Sequence, residues 1–254
     1  MIKTEILTIG VGDTSPEFDT HTYWFPGRWL GGTSMIFGPL FLLGGVVARS
    51  QFHFFFPQQL AAFRDRPALV TGAYASFLAG NILMWPAIAT LARLIGHSKP
   101  KWATWGGSLV IFGLFARTFH GGVDHLAFQL VRIEGLDSAT KTVAESYGAF
   151  HIVSGLTACI LAGWFVLAVG AYLSSIMGAL RALALGLMSA LMIGVLKGSS
   201  VTSVIATSGL CVALVPLGIS VLNTPPKPHW RQFVRWFLFL AVLIAVLFYI
   251  GQQG

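Results

Sequence analysis

Two short stretches of this chain concentrate the side chains that could do chemistry. One reads Ala116-Arg117-Thr118-Phe119-His120-Gly121-Gly122-Val123-Asp124-His125. The other reads Glu145-Ser146-Tyr147-Gly148-Ala149-Phe150-His151-Ile152-Val153-Ser154. On a continuous helix Arg117, His120 and Asp124 fall at i, i+3 and i+7 and so line one narrow face, and Tyr147, His151 and Ser154 share a face by the same spacing. His120, Asp124 and His151, with His125 beside them, offer nitrogen and oxygen ligands for a divalent metal such as zinc. A catalytic zinc takes three protein ligands and keeps one position for water. The pattern is not the His-Glu-x-x-His of common zinc enzymes. Haem held by His120 and His151 lacks a four-histidine pattern. A retinal-type lysine is excluded, because the last apolar run has no Lys after Lys227.

Those stretches sit in an apolar chain. Of 254 residues, 55% are hydrophobic and only 10% charged, with a mean hydropathy of +0.75. Soluble domains carry about 25% charged residues, so this composition predicts an all-α, polytopic integral membrane protein. Seven apolar runs approach the roughly 20 residues needed to cross a bilayer core of about 30 Å: 29–48, 69–95, 102–119, 147–173, 180–196, 201–222 and 233–250. Each is continuously apolar without period-two alternation, which favours helices over a barrel. The fifth is the shortest and is expected to form a hairpin with the sixth, turning at Lys197-Gly198-Ser199-Ser200. Residues 1–28 read as a polar and interfacial segment without a signal-peptide pattern, and 29–254 as one seven-helix domain. Pro57, Pro67, Pro100 and the proline-rich stretch 224–228 punctuate the connections.

An odd number of crossings sorts the polar residues by membrane face. Nine of the 16 Lys and Arg fall on the N-terminal side, face A, and seven on face B, among them Arg49, Arg117 and Lys197. The excess of positive charge then places the N-terminus in the cytoplasm, and the expected location is the plasma (inner) membrane of a prokaryote. Arg117, His120, Asp124, His125, Tyr147 and His151 all collect at face B. Gly121-Gly122 is the point at which the third helix is open to breaking, since each glycine costs about 1 kcal/mol relative to alanine. A break would leave 123–132 as a short interfacial helix.

The aromatic run Gln51–Pro57 and the amphipathic 58–66 predict an interfacial helix on the same face. Small residues at 186, 190, 194 and 198, and at 155, 159 and 163, recur every four positions. They suit close helix packing inside the bundle or a face for a homo-oligomer. Cys159 and Cys211 lie deep in apolar runs and read as small packing residues. The +7 net charge is scattered through short loops, which argues against nucleic acid and for the lipid bilayer as the partner.

Three functions fit. The first is a structural or partner- or lipid-binding membrane protein with a polar cluster at one face, Arg117 pairing with Asp124. The second is a membrane-embedded, metal-dependent hydrolase-like enzyme using the His/Asp cluster. The third is a small-solute or proton-linked transporter.

Overall fold

The computed structural model describes residues 24–146, 152–191, 194–224 and 230–251. All regular structure among them is helical: α1 (Arg28–Arg49), α2 (Phe56–Asp65), α3 (Pro67–Gly96), α4 (Pro100–Glu134), α5 (Leu136–Ser146), α6 (Leu156–Leu173), α7 (Ala179–Gly186), α8 (Val201–Asn223) and α9 (Trp230–Gly251). Prolines open α2, α3 and α4 within their first turn, where the missing N–H has no intrahelical partner to lose. Five helices are long and apolar enough to cross a membrane: α1, α3, α6, α8 and the 234–251 part of α9. The 35-residue α4 falls outside that set on composition.

Helices α1, α3, α4, α6 and α8 pack into a bundle through glycines set seven apart rather than four. Gly31, Gly38 and Gly45 of α1 lie against Thr90, Met84 and the Ala73–Phe77 backbone of α3, in antiparallel order. Gly106 and Gly113 of α4 meet Leu167 and Ile160 of α6, while Gly163 and Gly170 of α6 meet Val110 and Trp102 in return. Two turns of helix separate successive contacts, so each seam is a line of bare backbone into which the neighbour's side chains fit. Gly163 thus works inside the bundle, whereas a Cβ on Gly155 would meet nothing within 4 Å.

The surface reverses a soluble protein's pattern. Phe37 and Phe41 of α1, Phe112 and Phe115 of α4 and Phe165 of α6 face outward, while Asn81, Thr90, Ser203 and Thr207 are buried. Such an outside suits hydrocarbon. Helix α9 is exposed along its length and packs on no other described element.

One open alternative is decided and one expectation needs correction. The Gly121-Gly122 pair does not break the third helix: α4 runs unbroken through both and ends at Gly135, whose φ of 86° falls in the left-handed region that glycine tolerates. At 1.5 Å per residue it spans about 52 Å, well beyond a bilayer core. Its C-terminal part packs with α2 and α5 around Leu60, Phe63, Phe128, Val131 and Val143. The expected amphipathic helix after the first span is found as α2.

The fifth run, by contrast, is not one helix. α7 and a 3-10 turn, Leu187–Ala190, use its first half, and the described residues from Leu191 to Ser200 carry no helix. Gly186, Ala190, Gly194 and Gly198 therefore form no continuous stripe. The expected hairpin turn at 197–200 is instead the end of this non-helical stretch, closed by a reciprocal cap. Ser200 Oγ accepts from the Ser203 amide, and Ser203 Oγ accepts from the Ser200 amide.

The α4–α6 seam yields a direct stability test. A Cβ on Gly113 would sit 2.0 Å from Ile160 Cβ and 2.7 Å from its Cα, so the helices must part. Gly113→Val is expected to destabilise by about 1–3 kcal/mol, as overpacking does, seen as a lower melting temperature in detergent. Gly72→Ala, whose Cβ meets nothing within 4 Å, should leave it unchanged; equal melting temperatures for both variants would refute this seam.

Candidate functional site

The non-helical stretch is what organises the polar residues. Its peptide groups lie inside an apolar bundle, where an unpaired N–H or C=O costs roughly 1–3 kcal/mol. Buried side chains from three helices supply the partners. Arg117 Nη2 donates to the Leu191 carbonyl at 3.1 Å. The Leu196 amide donates to Asp124 Oδ1 at 2.5 Å. Arg49 Nη1 and the Tyr74 hydroxyl both donate to the Lys197 carbonyl, at 3.2 and 3.4 Å. The Gly198 amide donates to the Phe54 carbonyl at 2.9 Å. Leu196 is fully buried with φ at +50°, a conformation uncommon for a residue other than glycine, and Asp124 holds its amide.

Each partner is itself fixed by its helix. Arg49 ends α1, donates from Nε to Gly45 O at 3.2 Å, and lies 4.5 Å from the centroids of both the Tyr74 and Phe77 rings. Tyr74 also donates to Gln59 Oε1 at 3.0 Å, and Gln59 Nε2 donates to the His53 carbonyl. Because α4 is continuous, Arg117 and Asp124 sit on its inward face, 6% and 8% exposed. They do not pair with each other: no ion pair within 4 Å joins them, since each is engaged on a different part of the 191–200 backbone.

Between these groups lies a cavity of about 350 Å³. Its walls are the ends of α1 and α3, the middle of α4 and the non-helical stretch. Arg49, Arg117 and Lys197 bring three cationic side chains to it, and Asp124 is the one carboxylate among its lining residues. His120 and Asn81 line it as well, with exposed His125 at its edge. Asn81 donates to Leu114 O at 3.1 Å and Thr118 Oγ1 at 2.9 Å, tying α3 to α4.

Arg117, His120, Asp124 and His125 all line this one cavity. Tyr147 and His151 lie outside the described residues, and Glu145 sits on exposed α5, 3.9 Å from Lys141. Among the described residues no group of three His, Cys, Asp or Glu is placed to hold a metal ion; His120 and Asp124 are the two members of the expected ligand set that reach the cavity. Arg49, Tyr74, Gln59 and Asn81 are site residues that sequence reasoning missed. A polar residue inside an apolar run was the available signal for Asn81, and Gly45 one turn before Arg49 was a fainter one.

No protein-family model, curated protein or solved structure matches this chain.

Asp124→Ala leaves the buried Leu196 amide without its acceptor and is expected to cost about 1–3 kcal/mol, with faster hydrogen exchange across 194–200. Asp124→Asn keeps an acceptor oxygen and should retain most of the protection. Unchanged exchange in the alanine variant would mean that Asp124 does not hold this stretch.

Proposed function

We propose that the protein is an integral membrane protein of seven crossings whose face-B cavity binds an anionic group, a phosphate or a carboxylate. The crossings in this reading are α1, α3, α4, α6, the α7-to-Ser200 segment, α8 and α9. The observation that carries the binding function is Arg117. It is 94% buried by its 6% exposure, lines the cavity, and has no hydrogen-bond partner for Nε or Nη1 among the described residues. Among the described residues no carboxylate lies within 4 Å of it or of Arg49.

A buried charge left without compensation costs several kcal/mol. Three cationic side chains facing one carboxylate make the cavity positive, and an oxyanion satisfies both the charge and the vacant donors. Arginine suits this task because its guanidinium stays protonated and presents fixed N–H directions. Carriage of the anion across the membrane is a second reading, favoured by one feature. A membrane segment that unwinds beside a polar cavity is the arrangement in which many transporters hold their substrates.

The test uses purified full-length protein in neutral detergent. Inorganic phosphate should raise the melting temperature above that in chloride of equal ionic strength. Lys197 contributes its carbonyl to the fold but directs its ammonium to the cavity, 5.5 Å from the Phe54 ring centroid, so Lys197→Gln should fold normally. It should weaken phosphate binding by roughly tenfold, the effect of losing one charge-assisted contact of about 1.5 kcal/mol. No stabilisation by phosphate, sulfate or acetate would overturn the proposal. Uptake of labelled phosphate into proteoliposomes separates carriage from binding.

A further inference from the structure

The cavity's shape says where its ligand comes from. Toward face B it is roofed. Phe128 lines the cavity and stacks on Phe63 of α2 at 4.7 Å between centroids, with Tyr74 edge-on at 4.9 Å. α2, α5 and the end of α4 close over these rings as a small apolar core. The Gly198 backbone is pressed against Phe54, where an added Cβ would stand 2.7 Å from Phe54 Cα. Water on face B therefore meets packed side chains above the site.

On its flank the cavity is open. The exposed lining residues are Thr71 and Ala75 of α3 and Gly122 and His125 of α4, which face each other across the α3–α4 seam. A Cβ on Gly122 would meet nothing within 4 Å, so this stretch of the seam is a gap rather than a contact. At the adjacent residue, about 100° around α4, the helices touch: a Cβ on Gly121 would come within 2.9 Å of Leu78, which bounds the gap on its inner side. At the opening Thr71 and His125 are exposed and polar, beside exposed Leu126, and farther along the helices Ile82, Phe115 and Phe119 are exposed and apolar. A polar mouth with a continuous apolar surface next to it suits an amphiphile, headgroup at the opening and acyl chains along the helices.

Size agrees with shape. Small-molecule cavities run from about 300 to 1,000 Å³, and 350 Å³ is at the low end. It admits a headgroup and leaves no room for acyl chains, which must stay outside. Building on the anion-binding function above, we infer that the ligand is an anionic lipid. Its phosphate- or carboxylate-bearing headgroup enters sideways between α3 and α4 and reaches Arg117, while its acyl chains remain in the bilayer against Ile82, Phe115 and Phe119.

The experiment compares three probes on the full-length protein in neutral detergent: phosphatidic acid, the uncharged diacylglycerol of the same chains, and inorganic phosphate. Bound lipid is counted by native mass spectrometry, and phosphate is followed by thermal shift. Gly122→Leu fills the gap at the cavity's rim, leaves Arg49, Arg117 and Lys197 in place, and should melt like the parent protein, because a Cβ there meets nothing within 4 Å. The parent is expected to retain phosphatidic acid in preference to diacylglycerol by roughly tenfold or more. The Leu variant should lose that lipid by a similar factor while keeping its response to inorganic phosphate. Equal lipid retention by parent and variant would overturn the lateral route. A response to inorganic phosphate with no retention of phosphatidic acid would overturn the lipid and leave the anion site standing. Silence toward all three probes would overturn both.

Discussion

A stretch of non-helical backbone held inside an apolar bundle is the constraint on which the rest of this structure depends. In hydrocarbon a helix satisfies its own peptide groups, and any segment that abandons the helix must borrow partners from elsewhere. The described residues from Leu191 to Ser200 abandon it. Leu191, Leu196, Lys197 and Gly198 then take partners from Arg117, Asp124, Arg49, Tyr74 and the Phe54 carbonyl. Those partners come from α1, α3, α4 and the loop before α2, so the unwound segment is the point at which these parts of the chain become interdependent. Its charged partners are buried because the groups they serve are buried.

That requirement alone does not account for the charge. Asp124 accepting an amide and Arg117 donating to a carbonyl each serve with a single atom, and a neutral Asn or Gln would meet the same geometric need at far lower desolvation cost. Hydrogen bonds to charged groups are worth about 1.5–3 kcal/mol, less than the several kcal/mol of taking an ion out of water. Arg49 recovers part of the difference from the faces of Tyr74 and Phe77. Arg117 has no such aromatic support among the described contacts, and two of its three nitrogens are without partners. Under the proposed function an anion in the cavity would close the balance, and the positive lining and the broken segment would then share one explanation.

Much of the scaffold was legible in the sequence. The runs 29–48, 69–95 and 201–222 match α1, α3 and α8 to within two residues at each end, because continuous apolarity and proline punctuation report helix limits directly. Arg117, His120 and Asp124 share a cavity because the face-by-spacing argument survives once α4 stays whole. Packing of its C-terminal part against α2 and α5 outweighs the intrinsic cost of two glycines. What sequence hid was the breaking of the fifth run. A buried extended segment and a buried helix are equally apolar, so hydropathy cannot tell them apart, and the four-residue repeat of small residues mimicked a helical stripe. Arg49 was hidden for a related reason. A basic residue at the end of a span ordinarily reaches water, and here the rings of Tyr74 and Phe77 and the return of residue 197 to the tip of α1 bury it.

The length of α4 ties these features together. A helix that stopped near Phe119, where the apolar run of the sequence ends, would leave Asp124 without a helix to carry it and the cavity open to solvent. Water in that space would solvate Arg117 and weaken every charge interaction around it, since Coulomb energies fall with the local dielectric. By continuing to Glu134, α4 carries Asp124 to the Leu196 amide and then, through Phe128 and Val131, joins α2 and α5 in a lid of packed side chains. The same helix therefore buries Arg117 and helps close the space beside it. With packed side chains over one end of the cavity, the α3–α4 gap at Gly122 is the opening that the proposed lateral entry of a lipid headgroup would use.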